Sequence, residues 1–382
     1  MTFVLAALVA LGVGVLGSGN ALSELVLPEQ PFDYENLDLP DHFLVDDQTN
    51  ARWSSAAIVN DNTPSLNQVT DAGATLGRVL FYDESLSVSG ATSCATCHQQ
   101  ETGFSDPRRF SRGFAGGETQ RNSMSLINAR FFQNGTFFWD GRAPSLEEAV
   151  LEPFLDPLEM GLTEQQLVAL VELQPHYRDL MEDAFGDPEV TSERISFALS
   201  QFIRSIVSFE SRYDEGRAQV ETQLDPFPNF TDQENLGKEL FQQAPGDQAP
   251  CSSCHISEAF VNTFFGLMNN GLDAESVTDL GQFAVTEELE DLGAFKAPSL
   301  RNIALTAPYM HDGRFETLTD VVNFYSTGVQ DHPALSPFMR SESGFPGGRN
   351  FTAEETAALV AFLETLTDNN ISTDERFSNP FE

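Results

Sequence analysis

The chain has 382 residues, 41 % of them hydrophobic, and its 58 acidic against 20 basic residues give a formal net charge of −38. That length suggests two domains, and the apolar fraction is enough for ordinary cores. The charge argues against a nucleic-acid partner; an acidic surface either steers a basic protein partner or simply keeps the chain solvated.

Residues 3–17, FVLAALVALGVGVLG, form an apolar run of signal-peptide length, and Gly19-Asn20-Ala21 offers a small-residue cleavage site. No Lys or Arg precedes Arg52, so the basic leader is missing, and retention as an N-terminal anchor is the alternative to cleavage. The run is short for a spanning helix of roughly 20 residues. A signal peptide over 1–21 is therefore expected. Residues 22–70, rich in Asp, Asn and Pro, read as an irregular lead-in.

LGRVLF (76–81) comes next, followed by Cys94-Ala95-Thr96-Cys97-His98; later LGKELF (236–241) is followed by Cys251-Ser252-Ser253-Cys254-His255. C-x-x-C-H marks covalent attachment of a c-type haem: two thioethers hold the porphyrin and the His supplies one axial iron ligand. The two motifs use all four cysteines, so none remains to complete a zinc site. Attachment of c-type haem belongs outside the bacterial cytoplasm, which agrees with export and a periplasmic location.

The correspondence continues downstream. SLIN (125–128) leads to WDGRAPSLEEAV (139–150), and SLRN (299–302) leads to HDGRFETLTDVV (311–322). The chain is a duplicated haem module. Thr231-x-x-Glu234 and Thr352-x-x-Glu355 are capping boxes, and residues 192–210 and 355–366 each gather apolar side chains on one helical face. Sustained strand alternation is absent. The expected fold is mainly α: two cytochrome-c-like haem domains from an internal duplication. The expected boundaries are 71–219 and 220–350, with the helical stretch 163–215 joining the two domains. A C-terminal helix and tail, 351–382, is expected to pack back on the first domain.

A haem iron held by His on one face has a second axial position, which carriers fill permanently and enzymes leave open. With the halves aligned on Asp-Gly-Arg, Tyr325 stands seven residues after Leu318, and Pro153 seven after Leu146. Tyr can ligate iron as phenolate, whereas Pro has no donor. Haem 2 (His255) is therefore expected to be closed by Tyr325 and haem 1 (His98) to be open. Met339 and His332 are the other candidate ligands of haem 2. Beyond Pro153, EPFLDPLEMG holds Glu152, Asp156 and Glu159, any of which can shuttle a peroxide proton if burial raises its pKa. Trp139 precedes the first Asp-Gly-Arg where His311 precedes the second; it is either a packing residue or an electron relay between the haems.

These residues resemble the bacterial di-haem cytochrome c peroxidase/MauG family. The match runs from about residue 70 to 366 and rests on both C-x-x-C-H motifs, FWDGRAPSLEE, PLEMG and APSLRNIALTAPYMHDGRFETL. The resemblance implies two c-type haems in two mainly α domains, a calcium ion between them, and cleavage of hydrogen peroxide at the N-terminal haem. By position Glu159 matches the family's distal Glu, Pro153 its distal Pro and Trp139 its inter-haem Trp. Asn122, Thr306 and Pro308 match the calcium ligands, the last two through backbone carbonyls. Two departures look like the MauG branch, whose members oxidise residues of a partner protein. Phe114 stands where typical peroxidases carry a His that blocks haem 1, and Tyr325 where they carry Met. An anionic phenolate lowers the haem potential relative to Met and suits haem 2 to hold an oxidising equivalent.

The expected activity is thus a di-haem peroxidase with a protein electron donor or protein substrate, and a homodimer is compatible with it. The rivals are an ordinary peroxidase fed by a small cytochrome or copper protein, and a non-enzymatic di-haem carrier or redox sensor.

Overall fold

Four capped helices, two in each half, frame the molecule, seen here in a computed structural model that describes residues 24–381 apart from 51–53, 133–135, 244–248, 263–265, 342–343 and 345. Thr70 accepts from the Gly73 N–H to open helix Asp71–Tyr82, and Thr191 accepts from the Arg194 N–H to open helix Ser192–Ser205. In the second half, capping boxes at Thr231 and Thr352 open helices Asp232–Gln242 and Ala353–Glu364. Among the described residues extended backbone pairs only as isolated bridges, so the fold is mainly α.

The two pairs cross in the same way. A Cβ on Gly77 would lie 2.0 Å from the Ala198 carbonyl oxygen and 2.8 Å from the Phe202 Cβ. A Cβ on Gly237 would lie 1.9 Å from the Ala358 oxygen and 2.8 Å from the Phe362 Cβ. Glycine is required in both helices because a carbonyl of the partner helix occupies the side-chain position. Around the first crossing Leu76, Leu80 and Phe81 are buried with Ile195, Leu199 and Phe202. Around the second, Leu240 and Phe241 are buried with Leu359, Phe362 and Leu363. Removal of these side chains from water is the main stabilisation of each half.

The expectation that 163–215 joins two domains is corrected by this packing. Helix Ser192–Ser205 is the first half's own closing helix, the counterpart of Ala353–Glu364. Helices Glu164–Leu173 and Pro175–Phe185 bury Leu167, Val171, Tyr177 and Met181 in the same first core. An apolar face serves a core helix and a bridging helix alike, so periodicity alone could not separate them.

The segment after 350 also divides. Its helix, Ala353–Glu364, stays with the second half, because Leu359, Phe362 and Leu363 face Phe241 and Phe260. Only the tail reaches the first half: the Tyr82 hydroxyl donates to the Phe377 carbonyl at 2.5 Å and Gln100 Nε2 to the Ile371 carbonyl at 3.0 Å.

A buried polar knot ties the lead-in to the second half. Arg301 Nη1 donates to Asp214 Oδ2 (2.6 Å), and Asp214 Oδ1 faces His42 Nε2 (2.9 Å). Glu258 accepts from the Tyr213 hydroxyl at 2.9 Å and from Arg217 Nε at 2.8 Å. The expected signal peptide, including the 3–17 apolar run, lies outside the described residues. Among those described, no helix is long and apolar enough to cross a membrane.

Candidate haem sites

In the first half Ser93 caps a single helical turn, Cys94–Cys97, which places the two sulfurs on one side and His98 at its end. His98 Nδ1 lies 2.9 Å from the Phe104 carbonyl. A carbonyl only accepts, so Nδ1 carries the proton and Nε2 is left free for a metal. In the second half Cys251–Ser253 forms a 3₁₀ turn, and His255 Nδ1 lies 3.1 Å from the Pro298 carbonyl. Burial lowers the pKa of both imidazoles, that of His255 to about 4, so both are held neutral, as ligation requires.

A cavity of about 220 Å³ opens beside Cys251, Cys254 and His255. Leu300, Val321, Val322 and Leu359 make it apolar, and Tyr325, Met339 and Arg349 also line it. Arg349 has Nε and Nη1 buried without a partner. An apolar slot with two cysteines, a neutral His and unsatisfied cationic donors fits an anionic porphyrin. Tyr325 sits in a π-turn, Phe324–Gly328, that follows helix Leu318–Asn323 directly. The wide turn re-aims the side chain, a common use of such turns at functional sites. Asn270 Nδ2 donates to the Tyr325 hydroxyl at 3.2 Å. Burial raises the Tyr325 pKa, while the Asn270 hydrogen bond and the Arg349 charge oppose the rise.

Of the other candidate ligands, His332 is turned away. Its Nδ1 accepts from the Ala334 N–H (3.0 Å), and its Nε2 lies 3.2 Å from the Ser276 hydroxyl. Met339 is buried and remains on the cavity wall.

The first half breaks at the corresponding place. Ser145 caps helix Leu146–Ala149, which stops after four residues, and Pro153 enters the first turn of a new helix, Glu152–Leu155. The turn after it brings Phe114 and Glu159 together: the Phe114 N–H donates to the Glu159 carbonyl at 2.8 Å. The Phe114 ring lies where a Cβ on Gly161 would be, 2.4 Å away.

Residue chemistry left Glu152, Asp156 and Glu159 equivalent, with only the family resemblance pointing to Glu159; in the structure their partners separate them. Arg142 Nε pairs with Glu152 at 2.7 Å, and Asp156 accepts from the Leu158 N–H at 2.7 Å. No described residue hydrogen-bonds the Glu159 carboxyl. Burial, with smaller contributions from Asp156 and Glu152 and against the pull of Arg142, pushes its pKa up to about 7. Glu159 lies near enough to Cys94 and Cys97 to help raise the pKa of both thiols.

Trp139 lies at the junction of the halves. Its ring meets His311 edge-on at 6.4 Å, its Nε1 donates to the Asn122 carbonyl at 2.8 Å, and it lines the second-half cavity. Arg121 crosses the same junction, from Asp140 (2.6 Å) to Asp279 (2.7 Å). Asn122, Thr306 and Pro308 all line this cavity. Asn122 Nδ2 donates to the Arg108 carbonyl at 3.1 Å. No cluster of three acidic, His or Cys side chains forms a metal site among the described residues.

Asn270, Arg349 and the Arg121 bridge carried no recognisable signal in sequence. Their importance arises from burial and from contacts between distant segments.

Residues 71–222 match the family described as di-haem cytochrome c peroxidase. The chain is 34 % identical to the methylamine utilization protein MauG of Methylorubrum extorquens over 309 residues, 79 % of this chain and 80 % of that one. It is 32 % identical to the cytochrome c551 peroxidase of Nitrosomonas europaea, over 83 % of this chain and 88 % of that one. A solved MauG-like protein associated with microbial copper homeostasis superposes with a TM-score of 0.72 at 34 % identity, over 90 % of this chain and 99 % of the other. The fold of the diheme peroxidase BthA from Burkholderia thailandensis is also similar, with a TM-score of 0.65 at 24 % identity over 84 % of this chain and 92 % of the other.

Proposed function

The chain belongs to the di-haem cytochrome c peroxidase family, and within it we propose a MauG-type enzyme that reduces hydrogen peroxide at haem 1 and draws the electrons from a protein partner. Each haem, held by its two cysteines and His98 or His255, supplies the iron and the redox chemistry. The remaining roles belong to side chains. Phe114 and Pro153 offer no donor on the far side of haem 1, so that side stays open to peroxide. Glu159 accepts the proton from one peroxide oxygen and returns it to the departing one, and a pKa of about 7 suits both transfers. Trp139 relays electrons between the halves. Asn122 and the carbonyls of Thr306 and Pro308 hold calcium, whose preference for hard oxygen ligands matches such a set.

The observation that carries the MauG-type reading is Tyr325 on the wall of the haem 2 cavity, its hydroxyl hydrogen-bonded by Asn270. As an iron ligand its phenolate would lower the haem 2 potential and would make that haem a poor acceptor from an ordinary cytochrome. Met339 on the same wall favours the second reading, an ordinary peroxidase with a neutral sulfur ligand fed by a small cytochrome or copper protein. The net charge of −38 favours a basic partner in either case, and export to the periplasm is the location proposed for both.

Redox titration of the wild type, Tyr325→Phe and Tyr325→Met separates them. The MauG-type reading expects the Met variant to raise the haem 2 potential by on the order of 100 mV, well above the 59 mV of a tenfold change, and to gain turnover with reduced cytochrome c. Identical haem 2 potentials in all three proteins would leave the ordinary peroxidase ahead.

A further inference from the structure

The haem 2 cavity has an unbalanced charge. In a protein of net charge −38, no Asp or Glu is among the described residues that line it, while Lys296 and Arg349 do. Both basic side chains are buried, at 7 % and 8 % exposure, and burial pulls the Lys296 pKa down to about 7. Lys296 is satisfied locally: Nζ donates to the Thr136 carbonyl at 2.9 Å and lies 3.6 Å from the centre of the Phe132 ring. Arg349 is not. Nη2 donates to the Ala249 carbonyl at 2.7 Å, but among the described residues Nε and Nη1 have no partner, and the guanidinium carbon lies 5.9 Å from the centre of the Tyr325 ring. A buried guanidinium with free N–H groups is costly unless an anion meets it, and this one lines the space a porphyrin would fill.

We infer that Arg349 is a positioning residue that binds an oxyanion of the haem 2 centre, either a propionate carboxylate of the porphyrin or the phenolate of Tyr325. The inference rests on haem 2 occupying this cavity, and it goes beyond the ligand set proposed above. A fixed positive charge here favours the ferrous haem, which carries one more electron than the ferric. Arg349 therefore offsets part of the potential drop that a phenolate ligand imposes.

The test is redox titration of the protein with both haems attached, for wild type, Arg349→Gln and Arg349→Lys, each with Tyr325 and with Tyr325→Met. Arg349→Gln is expected to shift the haem 2 equilibrium at least tenfold toward ferric, a potential about 59 mV lower, with haem 1 unchanged. Arg349→Lys is expected to recover part of the shift, since it keeps the charge but not the planar geometry. If the shift persists with Met at 325, the oxyanion is a propionate; if it vanishes, it is the phenolate. An unchanged haem 2 potential in Arg349→Gln overturns the inference and leaves Arg349 as packing. Should the Gln variant not retain haem 2, the Lys variant decides: about a threefold shift supports the inference, and none overturns it. A count of one covalent haem per chain would instead sink the two-haem reading, and an unchanged spectrum in Tyr325→Phe would sink tyrosine ligation while leaving the propionate arm standing.

Discussion

The two halves of this molecule share a scaffold and differ in the short segment that follows one capped helix in each. Gly77 against Ala198 repeats as Gly237 against Ala358, and Ser145 and Thr317 cap equivalent helices. After those caps the halves part. In the first, the helix ends after four residues and restarts with Pro153 in its opening turn; in the second, it runs on into the π-turn that carries Tyr325. The duplication thus keeps the helix crossings and the C-x-x-C-H turns and varies the short segment after the caps, the segment that on the proposed function faces the iron. Different chemistry at two similar haems requires only a change in that segment.

The comparison is broken most completely by giving haem 1 a ligand. Phe114→His should place an imidazole in the wall beside Glu159 and close the open side. The expected outcome is a resting protein whose haem 1 is low-spin and unreactive with peroxide until reduced. Unaltered peroxide kinetics in this variant would show that residue 114 does not face haem 1.

Glu159→Gln removes the proton shuttle and leaves the haems in place. Its reaction with peroxide should slow by roughly 10²–10⁴-fold with resting spectra unchanged. The sign of the pH dependence follows from the pKa of about 7. The carboxylate is the form that accepts the first proton, so the wild-type rate should fall about tenfold per unit below pH 7 and level off above it. The Gln variant should lose that dependence. Stopped-flow mixing at several pH values checks both, and loss of activity in Glu152→Gln with normal activity in Glu159→Gln would contradict the assignment.

The shared scaffold gives the smallest effect. Gly77→Ala and Gly237→Ala each force a methyl group against a partner-helix carbonyl, so both should destabilise, by about 1–3 kcal/mol or more, and by similar amounts. Thermal unfolding measures this; a large loss in one half only would mean that the two crossings are not equivalent.

Much of this contrast was legible in the sequence, because the halves could be aligned on Asp-Gly-Arg and compared residue by residue. That alignment brought Pro153 opposite Tyr325 and marked both cysteine pairs and both histidines. It could not rank Glu152, Asp156 and Glu159, since three carboxyls within eight residues look alike until Arg142 and the Leu158 N–H are seen to occupy two of them. It could not tell that helix Ser192–Ser205 belongs to the first core, because an amphipathic face does not name its partner. Arg349 gave no signal at all, since its meaning depends on burial and on having no acidic partner among the described residues lining its cavity.

The ferric EPR spectrum of the resting protein shows whether an open haem 1 stands beside a tyrosine-closed haem 2 on the duplicate scaffolds. The account predicts one high-spin and one low-spin haem, with peroxide reacting at once and no reductive activation. A spectrum with two low-spin haems, one of which opens only after partial reduction, would contradict it.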